Sequence, residues 1–417
     1  MGFFMKEKLR ALSFFLGLDV PYFVSGGFWI TISLIVTTIG GIILSALFAR
    51  IWSKEVFGQY SFLVSILGFA GLATLPGMSQ AVTQAAAENK DGVYKKAILT
   101  AGKWSVVGSI ILTLISAYYY FSGNSNLSIA ILVSALAFPI SAAGSLFNAF
   151  LAGKKQFRLV AIYGAVAQAA SIAATAFALF RFPSLVVVAL FSAWSTAIAN
   201  GLLTLLAGKY ATNKGEDNKL IRLGFHLSFS QIFTIGADYL DRLLIPLFLG
   251  FTNNAIYAFA ILIPMQIHGF LKMFSTLGQP KVAEAGSKNL KRGLVVKSLQ
   301  LEMVVAAIVL FYIFAAPTIF KILYPSYQSQ AVGLSQIFSL SLLYYPGNIL
   351  ALLFLRERQA KPIHQTNVVY GVATVISLMV LVPTMGLVGA IFAKIIARFL
   401  QLLAQFYLFG KLKTENN

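Results

Sequence analysis

The sequence contains no cysteine among its 417 residues. Disulfides and thiolate metal sites are therefore excluded, and cysteine usage gives no information on the redox compartment. Only three histidines occur, namely His226, His268 and His364, and none stands at the spacing of a metal-binding pair. Acidic residues are also few, because 13 Asp and Glu stand against 32 Lys and Arg, which gives a net charge of +19.

Motifs for nucleotide binding and hydrolysis are missing as well. The pairs Gly153-Lys154 and Gly208-Lys209 lack the upstream glycine and the hydroxyl residue of a phosphate-binding loop. The sequence has no His-Glu-x-x-His run and no Gly-x-Ser-x-Gly run. We therefore expect no cofactor, no direct use of ATP and no enzymatic activity.

Apolar residues dominate what remains. The chain is 58% hydrophobic and 11% charged, with a mean hydropathy of +0.81, values typical of an integral membrane protein. Its apolar segments each approach the roughly 20 residues of a transmembrane helix and do not alternate in polarity as barrel strands do. The sequence thus predicts an all-α membrane protein with twelve transmembrane helices, at 26–49, 60–80, 103–122, 127–150, 160–180, 184–207, 223–250, 254–279, 298–320, 331–355, 363–383 and 386–409.

The positive charge is distributed unevenly between these segments. If the N-terminus lies inside, the connections on the outer side hold only Arg50, Lys54, Arg181 and Lys321. Cytoplasmic loops of membrane proteins collect Lys and Arg, so the charge indicates topology and not a nucleic-acid partner. We predict that both termini are cytoplasmic.

The longest inner connection divides the predicted helices into two sets of six. We predict an N-terminal lobe at 1–208, a linker at 209–222 and a C-terminal lobe at 223–417. A weak repeat supports the division, because Leu47-Phe48 precedes Phe57-Gly58 much as Leu247-Phe248 precedes Ala255-Ile256. Two lobes of this kind share one orientation and leave a cleft between them.

The segment 223–250 is long enough to span a bilayer, yet it carries Asp238, Asp241 and Arg242. An ionisable residue inside a membrane is a candidate for function. Asp238 and Arg242 lie four residues apart and can also neutralise each other along one helix, so both interpretations stay open, although we favour the structural one. We predict that Asp241, a deep acid without an obvious partner, is the proton or sodium site, with Asp238 as the second candidate.

Polar stripes at helical spacing occur in the second lobe, where we expect the wetter and more cationic inner face. Arg398 lies about 17 Å from the inner end of its segment, too deep to reach the interface easily. Its planar guanidinium suits a diphosphate, with Lys272 as a point charge and Lys394 also available for an anion. Glu302, near Lys297, is expected at the membrane interface or in a contact between the lobes. The stripes are His268, Lys272, Ser275 and Gln279; Lys394, Arg398, Gln401 and Gln405; and Gln336, Ser339, Tyr344, Tyr345 and Asn348.

Two stretches resemble a known family. Arg50-Ile-Trp-Ser-Lys-Glu-Val-Phe-Gly-Gln-Tyr-Ser, and Asp241-Arg242-Leu-Leu-Ile-Pro-Leu-Phe-Leu-Gly followed by Ala255-Ile-Tyr-Ala-Phe-Ala, are similar to the polysaccharide-biosynthesis membrane proteins. These include the Wzx-type O-antigen flippases of the multidrug/oligosaccharidyl-lipid/polysaccharide exporter superfamily. The resemblance implies a V-shaped pair of six-helix lobes with cationic cavity residues at Arg50, Lys272, Arg398 and Arg242.

The same resemblance implies a cargo and a location. Such a protein would move an undecaprenyl-diphosphate-linked oligosaccharide from the inner to the outer leaflet of the bacterial inner membrane. H+ or Na+ would be the counter-ion, and the polysaccharide polymerase and chain-length regulator of the same pathway would be partners.

Two other functions remain as alternatives. A cation-coupled exporter of drugs or small molecules would share the topology, but it usually carries an acidic site in the first lobe, and no Asp or Glu lies within the first six segments. A membrane polymerase or ligase of the same pathway would need a large outer loop, which the short outer connections do not provide.

Overall fold

The computed structural model describes residues 20–284, 290–356 and 360–411, which form helices joined by short turns, with no strand in these ranges. This confirms the all-α prediction. Short 3₁₀ turns cover Gly71–Thr74, Pro325–Tyr327 and Leu340–Tyr344. The helices are α1 Val20–Ile51, α2 Lys54–Ala70, α3 Met78–Ala87, α4 Gly92–Phe121, α5 Ser125–Gly144, α6 Phe147–Gly153, α7 Phe157–Arg181, α8 Leu185–Gly208, α9 Asn218–Leu249, α10 Phe251–Glu284, α11 Leu290–Leu323, α12 Gln328–Ser339, α13 Gly347–Arg356 and α14 Ala360–Lys411.

All twelve predicted segments fall on these helices, but their number as membrane spans stays a prediction. Within the described ranges, 10 stretches are long and apolar enough to cross a bilayer; the charged helix α9 is not among them, and α14 counts once. A straight helix of the 52 residues of α14 would measure about 78 Å, against about 30 Å for a bilayer core. Gly386 interrupts α14 with φ 60° and ψ −136°, so the last two predicted segments are separate helical arms.

The two halves repeat one order of elements. A long first helix meets the second through a tight turn, at 52–53 in the first half and at Gly250 in the second. A later helix is broken in both halves, between α5 and α6 and between α12 and α13. The proposed lobe boundaries remain a prediction, and helix α9 already begins at Asn218, inside the predicted linker, where the side chain of Asp217 accepts a hydrogen bond from the backbone N–H of Lys219.

The segment 209–217 is bound to the first half by ion pairs and hydrogen bonds. Asp91 lies 2.7 Å from Lys154 Nζ and accepts a 2.7 Å hydrogen bond from the backbone N–H of Thr212. Burial acts to raise the pKa of Asp91, but the hydrogen bonds from Lys154 and Thr212 outweigh it, and the pKa lies below its ordinary value. Hydrogen bonds to Asp217 and Glu88 raise the pKa of Lys90 to about 12. We call this end of the molecule the linker end.

At the opposite end the two halves are in close contact. Asn254 Nδ2 donates to the Gly58 carbonyl at 2.9 Å, and Lys54 Nζ donates to Gln330 Oε1 at 2.5 Å. A Cβ at position 58 would overlap the Phe251 carbonyl, so glycine permits this close approach. We call these contacts of Lys54 and Gly58 with Phe251, Asn254 and Gln330 the Trp52-end seal.

A buried ion pair joins α9 to α14. Asp241 and Lys394 are 2% and 3% exposed, and Lys394 Nζ lies 3.3 Å from Asp241 Oδ2. Lys394 also donates to the Ala237 carbonyl at 2.6 Å, and the Tyr257 hydroxyl donates to Asp241 Oδ2 at 2.6 Å. The prediction that Asp241 has no partner is therefore wrong, and Lys394, expected to be available for an anion, is engaged by this carboxylate.

The expected pair of Asp238 with Arg242 is also wrong. The Tyr370 hydroxyl donates to Asp238 Oδ1 at 2.8 Å, so the acid is held from α14 and not along its own helix. No ion pair between Asp238 and Arg242 occurs in the part of the chain that the structure describes, and Arg242 Nε is buried without a hydrogen-bond acceptor. Spacing by four residues permits a contact between Asp238 and Arg242. Asp238 instead accepts its hydrogen bond from Tyr370 on the neighbouring helix α14.

We predict that Lys394→Met destabilises the protein by about 3–5 kcal/mol, because it leaves the Asp241 carboxylate buried and unpaired. Adding Asp241→Asn to this variant should recover most of the loss, since the uncompensated charge is then removed. Thermal unfolding in detergent, followed by tryptophan fluorescence, measures both effects. Lys321→Met, a change at an exposed lysine, is the control. Unfolding of Lys394→Met at the wild-type temperature would contradict the prediction.

Candidate functional site

A cavity of about 370 Å³ lies within the second half, between α9, α10, α13, α14 and the Leu340–Tyr344 turn. Its volume falls in the range of small-molecule binding sites. We call it the second-half cavity. Its charged and aromatic polar lining consists of Asp238, His268, Lys272, Tyr344, Tyr345, Tyr370 and Arg398.

Helical spacing brings these side chains to one space. Thr234 and Asp238 are four residues apart on α9, as are His268 and Lys272 on α10, so each pair lies on one face of its helix. The turn between α12 and α13 adds Tyr344, and it ends at Pro346, which has no backbone N–H to continue a helix. The helix is thus interrupted between Tyr344 and Gly347, where α13 begins.

Arg398 is buried in the cavity wall without an acidic partner. It is 4% exposed, and its Nη1 donates to Ser341 Oγ at 3.1 Å. The guanidinium carbon lies 4.9 Å from the centre of the Tyr344 ring, close enough for a cation–π interaction. Over the described ranges, no carboxylate oxygen comes within 4.0 Å of this guanidinium. None of its five N–H donors therefore binds a carboxylate of the described residues.

Lys272 supplies a second cation, with an exposed side chain on the cavity lining. Between the two cations, His268 Nε2 and the Tyr344 hydroxyl share a 2.8 Å hydrogen bond. Tyr344 therefore contacts both His268 and Arg398, and it fixes the direction in which the guanidinium faces the cavity. Ser275 and Gln279, predicted to continue this stripe, have side chains outside the described set.

Asp238 is the acidic residue of the lining, and its side chain is exposed to the cavity. The Tyr370 hydroxyl is its hydrogen-bond donor. The two acids of α9 therefore differ from what the sequence indicated: Asp241 is enclosed with Lys394, whereas Asp238 faces the space that a ligand would enter. Tyr370 and Asn367, which also lines the cavity, lie three residues apart on α14. This spacing of three residues is the signal in the sequence that both side chains share one helix face.

The structure separates the remaining predicted site residues from this cavity. Arg50 lies near the Trp52-end seal, where its Nη2 donates to the Ile322 carbonyl at 3.0 Å. Arg242 is partly buried next to the ion pair, and its backbone N–H donates to Asp241 Oδ1 at 2.9 Å. Of the predicted residues, Lys272, Arg398 and Asp238 are brought together. Among the described residues, no group of three or more His, Asp or Glu could hold a metal ion.

Known proteins are similar to this chain in fold. A multidrug resistance MATE family transporter of the MOP superfamily, in an inward-facing conformation, superposes with a TM-score of 0.71 at 12% identity, covering 90% of this chain and 94% of that one. The lipid II flippase MurJ, in an inward closed conformation, gives 0.68 at 14% identity, covering 91% and 86%. An outward-facing MATE structure gives 0.59 at 14% identity, covering 91% and 95%.

Sequence comparison gives the family. No curated protein sequence matches the chain significantly. The profile of the family described as polysaccharide biosynthesis protein matches residues 23–280, which is more than half of the 417 residues. The fold shared with the MATE and MurJ structures covers nine-tenths of the chain and extends beyond that match. This chain therefore belongs to the polysaccharide biosynthesis protein family.

Proposed function

We propose that this protein is a flippase that moves an undecaprenyl-diphosphate-linked oligosaccharide, an O-antigen unit, from the inner to the outer leaflet of the bacterial inner membrane. The observation that carries the proposal is the buried Arg398 guanidinium, which lines a cavity without a carboxylate partner in the described ranges. Membership of a polysaccharide biosynthesis family and a fold like that of a lipid II flippase support it.

The diphosphate would bind between Arg398 and Lys272. A guanidinium offers parallel N–H groups that match two phosphate oxygens, and a phosphate contact of this kind is stronger than a neutral hydrogen bond. Lys272 would act as a second charge closer to solvent. Desolvating an anion is costly, so a cavity that already holds an unpaired cation is suited to take it up.

The two ends of the molecule would act as alternate gates. The bias of Lys and Arg supports a cytoplasmic position for the linker end and both termini. The Trp52-end seal would then close the periplasmic side, and the sugar would leave when α2 separates from α10. The polysaccharide polymerase and chain-length regulator of the pathway are the proposed partners after release.

Ion coupling would use Asp238. A proton or Na+ at Asp238 would remove a negative charge from the cavity that must hold the diphosphate, so cation binding and anion binding would reinforce each other. Asp241, the other candidate, is neutralised by Lys394 and braces the helices.

A cation-coupled exporter of drugs is the second candidate function. Its support is the acidic Asp238 among aromatic side chains, which suits an organic cation, together with the MATE-like fold. Arg398 and Lys272 in the same cavity oppose a cationic ligand, and we therefore place the anionic lipid first.

We predict that Arg398→Ala weakens binding of undecaprenyl diphosphate at least about thirtyfold, because a buried hydrogen-bonded charge contributes about 2 kcal/mol or more. Binding to purified protein in nanodiscs measures the loss. The exposed Arg181→Ala, outside the cavity, is the matched control. In cells the same variant should lose surface polysaccharide while it remains in the membrane. Normal polysaccharide would contradict the site, and drug resistance conferred by the wild type without an effect on polysaccharide would favour the exporter.

We predict that Gly58→Val opens the Trp52 end, because the added side chain overlaps the Phe251 carbonyl. The chain has no cysteine, so spin labels at Phe121→Cys and Ile322→Cys, both exposed near this end, report on an otherwise thiol-free protein. The distance between the labels should shift to longer values. Gly71→Ala, where a Cβ meets open space, is the control. An unchanged distance distribution would show that the Trp52 end stays closed without the close approach of Gly58 to the Phe251 carbonyl.

We predict that Asp238→Asn strengthens binding of undecaprenyl diphosphate, because it removes a negative charge from the lining of the cavity that would hold the diphosphate. Titration of the purified proteins in nanodiscs measures the change in affinity. Glu216→Gln, on the exposed linker, is the control that also removes one carboxylate. Equal affinity of the wild type and Asp238→Asn would contradict a contribution of this carboxylate to ligand binding.

A further inference from the structure

A second space lies beside the second-half cavity, between α11 and α14. It has a volume of about 500 Å³ and is lined mainly by apolar side chains. Leu299 and Phe399 on its walls are 59% and 56% exposed, so it opens on the outer, membrane-facing surface of the helices. Leu343 and Leu402 line it further inside and are only partly exposed. We call this space the α11–α14 groove.

The groove and the cavity share one wall. Helix α14 carries an apolar stripe at Ile395, Phe399, Leu402 and Phe406, whose spacings of four, three and four place them on one face. Arg398 lines both spaces, as does Tyr344 from the neighbouring turn. A single buried guanidinium therefore stands between a polar compartment inside the half and an apolar compartment open to the membrane.

Charge determines which part of a ligand each compartment would accept. In the groove wall the negative charge of Glu302 offsets that of Arg398, whereas in the cavity the two cations Lys272 and Arg398 stand against the single acid Asp238. The excess of positive charge therefore lies in the cavity. A ligand with an anionic head and a hydrocarbon chain would bind with the head in the cavity and the chain in the mainly apolar groove.

We propose that the α11–α14 groove holds the hydrocarbon chain of a polyprenyl-diphosphate-linked substrate whose diphosphate contacts Arg398 in the adjoining cavity. The inference rests on the proposed function, because it takes the anionic ligand of the cavity to be a lipid diphosphate. The inference adds where the hydrocarbon chain of the lipid binds and from which leaflet the lipid enters. A water-soluble anion would use the cavity alone and leave the groove without a ligand.

The position of the groove also indicates the leaflet. Helix α10 begins at the Trp52-end seal and runs away from it, so the start of α11 lies at the opposite end of the half. Ser298 and Leu299, close to that start, line the groove directly after Lys297. The positive charge before the groove suits the phosphate region of the leaflet at the linker end, and the chain would enter laterally from that leaflet.

The test enlarges a side chain inside the groove and compares two probes. Leu402→Trp adds bulk to the groove, and Leu403→Trp, the next residue, is the matched control because it is 49% exposed and does not line the groove. The full-length protein in nanodiscs is titrated with undecaprenyl diphosphate and with inorganic diphosphate. We expect Leu402→Trp to weaken the lipid probe about tenfold or more, since excluding two methylene groups already has such an effect. Inorganic diphosphate should bind the wild type, Leu402→Trp and Leu403→Trp with equal affinity.

The outcomes separate the inference from the proposed function. Equal lipid affinity for Leu402→Trp and Leu403→Trp would overturn the groove while leaving the diphosphate site intact. Loss of both probes in Leu402→Trp would mean that the substitution acts through Arg398, which would also overturn it. If the wild type bound neither probe, the proposed function would fail together with the inference.

A second measurement needs no substitution and does not depend on folding of a variant. Farnesyl diphosphate with a diazirine in its isoprenoid chain is photolysed with the wild-type protein, and the adducts are located by mass spectrometry. We expect adducts on Leu299, Leu343, Phe399 and neighbouring groove residues, reduced by excess undecaprenyl diphosphate. Adducts confined to α1–α8, or spread over the exposed surface without competition, would overturn the proposal.

Discussion

The ion pair of Asp241 with Lys394 determines how the second half is arranged. It joins α9 to α14 through two side chains that are almost completely buried, and Tyr257 on α10 holds the carboxylate from a third helix. Lys394 lies four residues before Arg398 on the same stripe of α14. When the first of these cations is fixed by its acid, the second is fixed one helical turn further along, where no carboxylate of the described chain comes within 4.0 Å. The structural pair thus sets the position of the guanidinium available to a ligand.

The first half is joined to the second half and to the linker by hydrogen bonds and ion pairs. It contacts the second half where Asn254 donates to the Gly58 carbonyl. It holds the linker through Asp91, which accepts from the Thr212 backbone N–H, and through the ion pair of Lys90 with Asp217. Backbone contacts and ion pairs of this kind are either made or broken, because packed interfaces do not deform continuously. A transport cycle would therefore move the halves as bodies, while the cavity inside the second half keeps its shape.

The sequence was sufficient for the helical fold and the cationic face of the second half. These follow from hydropathy and from helical spacing, which determine the residues that share a face. The partners of the acids could not be predicted in this way. Lys394, the partner of Asp241, also donates to the Ala237 carbonyl, which lies 157 positions away in the sequence. These contacts depend on how α9 and α14 are rotated against each other. For the same reason the resemblance grouped Arg50 with Lys272, although the fold holds Arg50 near the Trp52-end seal.

The two spaces that meet at Arg398 explain why an arginine suits this position better than a lysine would. An ammonium group is a compact, strongly hydrated charge, whereas a guanidinium is planar and weakly hydrated and can lie against an aromatic face. Arg398 lies over the Tyr344 ring, and both residues line the polar cavity and the apolar groove. Weak hydration lowers the cost of keeping a cation beside a groove that opens to lipid, and a planar guanidinium can bind two phosphate oxygens at once. A ligand that is anionic at one end and hydrocarbon at the other satisfies both surfaces at once, as neither a soluble anion nor a neutral lipid can.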